Sequence, residues 1–181
     1  MEGVPQLVVM GVAGVGKTTV ARALAADLGR LVADADDLHG PANLSKMSAG
    51  IPLEETDRRD WLAAVRDQLA RWSADGARGV IACSALRRAH RDVLREGGRV
   101  VFGHLAADEK VVHDRMERRT DHVMPAALLP SQYAALERLE PHEPGITVPA
   151  HLSVPEILTH IVAGLGLEEP SGAAHGGSPD A

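Results

Sequence analysis

The chain has 181 residues, which suits one domain with a substantial core, and its formal net charge is −6 at pH 7. Only 2% of the residues are aromatic, and an acidic chain with so few rings is a poor candidate for nucleic-acid binding. A single cysteine, Cys83, excludes an internal disulfide and a thiolate metal cluster. Because no apolar run approaches a membrane span and the N-terminus lacks a basic signal segment, we expect a cytoplasmic protein without a membrane partner.

The first predicted element is a strand over residues 6–12 that leads into a glycine-rich loop. Its centre, Leu7–Met10, is a continuous apolar run, which is typical of a parallel strand buried on both faces. Residues 11–18 then read Gly-Val-Ala-Gly-Val-Gly-Lys-Thr, the full spacing of a phosphate-binding loop. Such a loop forms a nest of N–H groups for anions, and a helix predicted over 17–28 adds the positive end of its dipole.

This loop predicts a site for a nucleoside triphosphate with Mg²⁺. Lys17 would supply a mobile cation to the β- and γ-phosphates, and the Thr18 hydroxyl would ligate the metal. The residues that we expect to contact the nucleotide are Gly11, Val12, Ala13, Gly14, Val15, Gly16, Lys17, Thr18 and Thr19. A chance glycine-rich turn is the alternative, and the order of strand, loop and helix argues against it.

The later elements alternate between short apolar strands and helices. We predict strands over residues 31–33, 79–83, 100–105 and 146–148. We predict helical segments over residues 40–50, 55–74, 87–95, 108–119, 124–139 and 154–165. This alternation predicts one α/β domain over 1–167, a five-stranded parallel sheet with helices on both faces and ligands at the carboxyl ends of its strands. Residues 168–181 are small, polar and rich in Gly and Pro, so we expect a disordered tail.

Acidic residues follow the second strand, at the edge of the sheet where the phosphate-binding loop lies. A carboxylate at Asp34 or Asp36 would hold Mg²⁺ through water or accept the proton of an attacking hydroxyl. Turn formation or helix capping is the alternative, and for Asp37 it is equally favoured.

An arginine-rich segment follows the third strand. Ser84 has the character of a helix N-cap, and Arg87, Arg91 and Arg95 recur every four residues along one helical face. A helix N-terminus together with Arg87 and Arg88 predicts a site for an anionic co-substrate. For Arg91 and Arg95, a solvated basic face stays open as the alternative.

A second basic cluster precedes a predicted lid over about 119–130. Arg115 and Arg119 lie four residues apart, so both could close on the phosphates and stabilise charge during transfer. Ion pairing with Asp114 and Glu117 is the alternative, and both interpretations can hold at once. No histidine spacing indicates a zinc site.

Taken together, the motifs resemble those of gluconokinases, which are small phosphate-loop kinases related to shikimate and adenylate kinases. The matching blocks run from Met10 to Val148 and read GVAGVGKTT, DADDLHGPANLSKMSAGIPL, DRRDWL, VIACSALRRAHRD, HVMP, SQYAALE and HEPGITV. The resemblance implies the phosphate-loop kinase fold and transfer of the ATP γ-phosphate to the 6-hydroxyl of D-gluconate. It also implies Mg²⁺ as the metal and a homodimer as the common assembly.

The resemblance implies roles for single positions as well. The implied catalytic residues are Lys17, Asp36, Arg115 and Arg119, and the implied metal residues are Thr18 and Asp34. The implied gluconate-binding residues are Asp36, His39, Lys46, Arg58, Ser84, Arg87, Arg91, His122 and Gln132.

Two rival functions stay open at the level of sequence. A kinase for shikimate or another small sugar acid would use the same acidic and basic segments. A regulatory module that binds ATP without transferring phosphate is a second rival, although we would expect it to lack Lys17, Thr18 or Asp36, and all three are present. A nucleoside monophosphate kinase is less favoured, because no aromatic side chain for a nucleobase occurs in residues 41–52.

Overall fold

The computed structural model describes residues 5–118 and 126–167, and its centre is a parallel sheet. The strands are β1 (Gln6–Met10), β2 (Leu31–Asp34), β3 (Gly79–Ala82), β4 (Val100–Ala106) and β5 (Gly145–Pro149). All neighbouring strands pair in parallel, in the order β2-β3-β1-β4-β5. The predicted five-stranded parallel sheet is therefore confirmed, and β1 lies at its centre.

Helices cover both faces of this sheet. They are α1 (Lys17–Asp27), α2 (Pro41–Ser48), α3 (Glu55–Ala74), α4 (Arg88–Arg95), α5 (Glu109–Glu117), α6 (Leu129–Ala135) and α7 (Val154–Leu165). Short 3₁₀ turns occupy Ala35–Leu38 and Ala126–Leu128. None of the helices in the described ranges has the length and apolar character required to cross a membrane.

The alternation of side chains along β1 divides the core into two apolar clusters. Leu7 and Val9 pack in the cluster that contains Leu24 of α1, whereas Val8 and Met10 pack in the cluster that contains Trp61 of α3. Every residue of β1 is buried, as expected for a central parallel strand covered on both faces. The apolar core thereby holds the end of β1, and the loop that follows it, in a defined position.

The helix predicted over 124–139 is shorter than expected. In the described residues α6 ends at Ala135, because Leu136 takes an extended conformation. The carbonyl oxygens of Glu137 and Arg138 then accept hydrogen bonds from the Arg91 side chain instead of from backbone N–H groups of a longer helix. Most of the predicted lid, the segment 119–125 with Arg119 and His122, lies outside the described residues, as does the predicted tail over 168–181.

Candidate active site

A cleft of about 260 Å³ lies where β1, β2 and β3 end. Its phosphate-loop side is formed by Ala13, Gly14, Gly16, Lys17, Thr18 and Thr19. Its other polar lining residues are Asp36, His39, Arg58, Trp61, Ser84, His90, Ser131 and Gln132. The tertiary structure thus brings most of the predicted site residues to one place, at the edge of the sheet where parallel α/β folds bind ligands.

The phosphate-binding loop has a backbone that only glycine accommodates well. Gly11, Gly14 and Gly16 have φ angles of 145°, 75° and 107°, which L side chains rarely adopt. A Cβ atom on Gly14 would also lie 2.5 Å from Cγ of Met116 in α5. The loop is therefore packed directly against the helix that precedes the predicted lid.

Lys17 is held inside this loop by a backbone contact. Its Nζ donates a hydrogen bond to the carbonyl oxygen of Val12 at 2.9 Å. Burial lowers the pKa of the Lys17 ammonium group, while the nearby charges of Asp36 and Asp34 oppose that shift. A cation that is removed from water in this way gains most from an anion, as expected for a phosphate-binding lysine.

Thr18 and Asp34 form a donor set that fits Mg²⁺. The Thr18 hydroxyl donates to Oδ2 of Asp34 at 2.5 Å, and Oδ1 of Asp34 accepts from the backbone N–H of Asp36 at 3.0 Å. Hydroxyl and carboxylate oxygens are the ligand types that Mg²⁺ prefers. Asp34 also caps the 3₁₀ turn that follows β2, so its capping role and its predicted metal role are compatible.

The Asp36 carboxylate faces the cleft next to Lys17. Partial removal from water raises the pKa of Asp36 above its ordinary 3.8, while the charge of Lys17 opposes the rise. A carboxylate with a raised pKa is suited to accept a hydrogen bond, or a proton, from a substrate hydroxyl.

His39 is held in one orientation by an aromatic stack. Its ring lies parallel to that of Trp61, with the centroids 4.5 Å apart, and Trp61 Nε1 donates to the carbonyl oxygen of Ala35. The Asn43 amide nitrogen lies 3.4 Å from Nδ1 of His39, so Nδ1 acts as the acceptor and Nε2 carries the proton. Burial, with a contribution from the charge of Arg58, lowers the pKa of His39 to about 4, and the ring is neutral at pH 7.

Arg58 lines the cleft as part of a group that we call the Glu55 cluster, which comprises Glu55, Arg58, Arg87 and His90. Glu55 accepts from Arg58 Nη1 at 2.9 Å and lies 3.6 Å from Arg87 Nε. His90 Nε2 lies 3.0 Å from the second oxygen of Glu55. Sequence reasoning missed both Glu55 and His90. The three-residue spacing of Glu55 and Arg58 could have indicated their ion pair. No sequence spacing relates Glu55 to His90, because the two residues lie on different helices.

Arg91 does not reach the cleft, which contradicts its predicted contact with the substrate. The side chains of Arg91 and Glu143 are both 0% exposed, and Nε of Arg91 donates to Oε1 of Glu143 at 2.6 Å. Nη2 donates to the other oxygen of Glu143 at 2.8 Å, and Nη1 donates to the carbonyl oxygens of Ala85, Leu86 and Glu137. With these donors committed inside the protein, Arg91 is a structural residue.

Other predicted contacts differ in their positions. Lys46 also lies outside the cleft lining, because its Nζ is 2.8 Å from both carboxylate oxygens of Asp57. Gln132 lines the cleft and accepts from the backbone N–H of Ala13 at 2.7 Å, which ties α6 to the phosphate-binding loop. Arg115 lies in the last turn of α5, directly before the predicted lid, and does not line the cleft.

Known proteins resemble this chain over most of its length. A family model described as shikimate kinase matches residues 13–143. A gluconokinase from Gluconobacter oxydans (strain 621H) is 48% identical over 143 residues, which are 78% of this chain and 80% of that protein.

Two solved structures are similar along almost the whole chain. An unliganded sugar kinase from Janibacter sp. HTCC2649 has a TM-score of 0.86 at 41% identity and covers 90% of this chain and 95% of its own. A gluconokinase from Sinorhizobium meliloti 1021 has a TM-score of 0.80 at 39% identity and covers 92% and 94%. The chain therefore belongs to the gluconokinase family, within the larger group of shikimate-kinase-like phosphate-loop kinases.

Proposed function

We propose that this protein is a gluconokinase, which transfers the γ-phosphate of ATP to the 6-hydroxyl of D-gluconate. The observation that carries the proposal is a single cleft with two chemically different walls. Lys17 and Asp36 form a wall for phosphate and hydroxyl groups, and Arg58 presents a guanidinium group from α3. A substrate with both a hydroxyl and a carboxylate satisfies both walls.

Catalysis on this arrangement is mainly positioning and charge stabilisation. Lys17 and the loop N–H groups would hold the phosphates, and Asp36 would orient the 6-hydroxyl or accept its proton. Thr18 and Asp34 would hold Mg²⁺, which neutralises phosphate charge when it is bound. Arg115, Arg119 and His122 would act from the lid side.

The substrate carboxylate is assigned to Arg58. Arg87 would support Arg58 through the Glu55 cluster, because Arg87 does not line the cleft. His39, Ser84 and Gln132 line the cleft and are proposed to contact the substrate or the transferring phosphate.

The proposal is tested by ADP release from purified protein with gluconate, glucose, shikimate and nucleoside monophosphates. We expect turnover with gluconate and poor turnover with glucose, which has no carboxylate to pair with Arg58. Lys17→Ala should lower kcat by about 10²–10³ because a contact to the transition state is lost. Lys110→Ala, at an exposed lysine of α5, is the matched control.

A Lys17→Ala variant with near-normal kcat and an unchanged melting curve would remove Lys17 from the mechanism. Preferred turnover of shikimate, or no turnover of any compound in the panel, would overturn the gluconokinase proposal.

We further propose a cytoplasmic homodimer, as the family resemblance implies. Sedimentation analysis at micromolar concentration tests the assembly, and a monomer there would contradict it. Fractionation of cells tests the location.

A further inference from the structure

The carboxylate of Glu55 joins the N-terminal turns of two helices. Glu55 lies in the first turn of α3, and Arg87 and His90 lie at the start of α4. Arg58 and His90 line the cleft, whereas Glu55 and Arg87 do not. Glu55 therefore contacts residues that line the cleft without lining the cleft itself.

The two oxygen atoms of Glu55 have separate partners. Oε1 accepts from Arg58 at 2.9 Å and faces Arg87 at 3.6 Å. The backbone N–H of Arg87 points to Nδ1 of His90 at 3.4 Å, so the proton of the neutral ring lies on Nε2 and is donated to Oε2 of Glu55 at 3.0 Å. The arrangement requires two acceptors on one side chain, which a carboxylate provides and a carboxamide does not.

The state of charge of the cluster is consistent with this arrangement. Partial desolvation works to raise the pKa of Glu55, but the hydrogen bond from His90 and the charges of Arg58 and Arg87 outweigh it and lower the pKa. Burial lowers the pKa of His90, so at neutral pH this ring is uncharged. One carboxylate then faces two guanidinium groups, and the cluster retains a net positive charge next to the cleft.

We propose that Glu55 is a positioning residue that sets the selectivity for anionic substrates, because it holds Arg58 and His90 as a preformed wall for the substrate carboxylate. The inference rests on the proposed gluconokinase function and deepens it. Glu55 itself does not touch the substrate. It selects a carboxylate-bearing polyol over an uncharged one through the orientation of Arg58.

Glu55→Gln is the direct test, since it keeps the size of the side chain and removes one acceptor. The amide must either release Arg58 or turn its NH₂ group toward the Nε2–H of His90. We expect the KM for gluconate to rise about tenfold, as for loss of a charge-assisted contact, while kcat and the KM for ATP change less than about twofold. The Glu55 side chain is 50% exposed, so the variant should fold, and its melting curve checks this.

Two further measurements separate positioning from general damage. D-Glucitol replaces the carboxylate of gluconate with an alcohol, so its inhibition constant should be the same in wild type and Glu55→Gln. In an Arg58→Met background, Glu55→Gln should cause no additional rise in KM, because residues that act as a unit are not additive. Asp60→Asn removes an exposed acid from the same helix and serves as the charge control.

The inference is overturned by additive effects of the two substitutions, by equal weakening of glucitol and gluconate, or by a lower KM in Glu55→Gln. The last result would show that Glu55 competes with the substrate for Arg58. Wild-type protein that does not phosphorylate gluconate would instead reject the proposed function, so the two failures are distinguishable.

Discussion

Two guanidinium–carboxylate pairs near the cleft have similar distances and different roles. Arg58 lies 2.9 Å from Glu55, with side chains 20% and 50% exposed. Arg91 lies 2.6 Å from Glu143, with both side chains 0% exposed. Within the described part of the chain, the guanidinium group of Arg58 donates only to Glu55, whereas all three guanidinium nitrogens of Arg91 are engaged. The unused donors, rather than the ion-pair distance, distinguish a binding arginine from a structural one.

The buried pair has a clear structural task. Arg91 of α4 holds Glu143 and the carbonyl oxygens of Glu137 and Arg138, all from the segment between α6 and β5. That segment also supplies the Glu137 carboxylate to the backbone N–H of Arg88 at the start of α4. Loss of Arg91 would leave Glu143 charged or protonated without its partner in an apolar setting.

The largest expected effect is on folding. Arg91→Met should lower the free energy of unfolding by about 3–5 kcal/mol, because breaking a buried pair leaves an uncompensated charge. Chemical denaturation measures the loss. Arg95→Met, at an exposed position of the same helix, is the control and should change stability by less than about 0.5 kcal/mol. If Arg91→Met has normal stability and a raised KM for gluconate, Arg91 is a substrate-binding residue and its structural role is contradicted.

The next effect is on substrate binding. Arg58→Met should raise the KM for gluconate by about 10- to 100-fold, the value of a hydrogen bond to a charged group, with an unchanged melting temperature. Arg87→Met should raise this KM less than about threefold, since its pair with Glu55 is partly exposed and screened. Arg59→Met is the control on the exposed face of α3. If Arg87→Met has the larger effect, the carboxylate is held by α4 rather than by α3.

The smallest effect is on the pH dependence of stability. Hydrogen bonds from Arg91 hold the pKa of Glu143 below its ordinary 4.5 in the folded protein. The stabilisation is therefore present above pH 4.5 and is lost as the pH falls through the lowered folded value. Melting temperatures from pH 3 to 6 should fall less steeply with acid in Arg91→Met/Glu143→Met than in wild type. Parallel curves would show that Glu143 does not contribute to acid unfolding.

Local sequence was sufficient to predict a structural feature wherever the interactions that form it lie within one short segment. The loop from Gly11 to Thr18 was predictable because its glycines, lysine and threonine lie within eight consecutive residues at the spacing of a phosphate-binding loop. Central strands such as β1 were predictable because an apolar run such as Leu7–Met10 is typical of a parallel strand covered on both faces, whereas the edge strand β2 is partly exposed. The positions of Asp34 and Asp36 beside this loop were predictable because the carboxyl ends of parallel strands lie at one edge of the sheet.

Partners that are distant in sequence could not be predicted in this way. Spacing predicted that Arg87, Arg91 and Arg95 share a helical face, but it could not tell what packs against that face. Glu143 lies 52 residues from Arg91, and Glu55 lies 35 residues from His90.

The amino-acid sequence by itself determined the sheet, the nucleotide loop and the family to which the chain belongs. Tertiary structure alone decided that Arg58 faces the cleft while Arg91 is buried, that Lys46 is paired with Asp57, and that His39 stacks on Trp61. The physical reason is that the free energy of a charged or polar side chain depends on burial and on its partners, and both are set only when the helices dock.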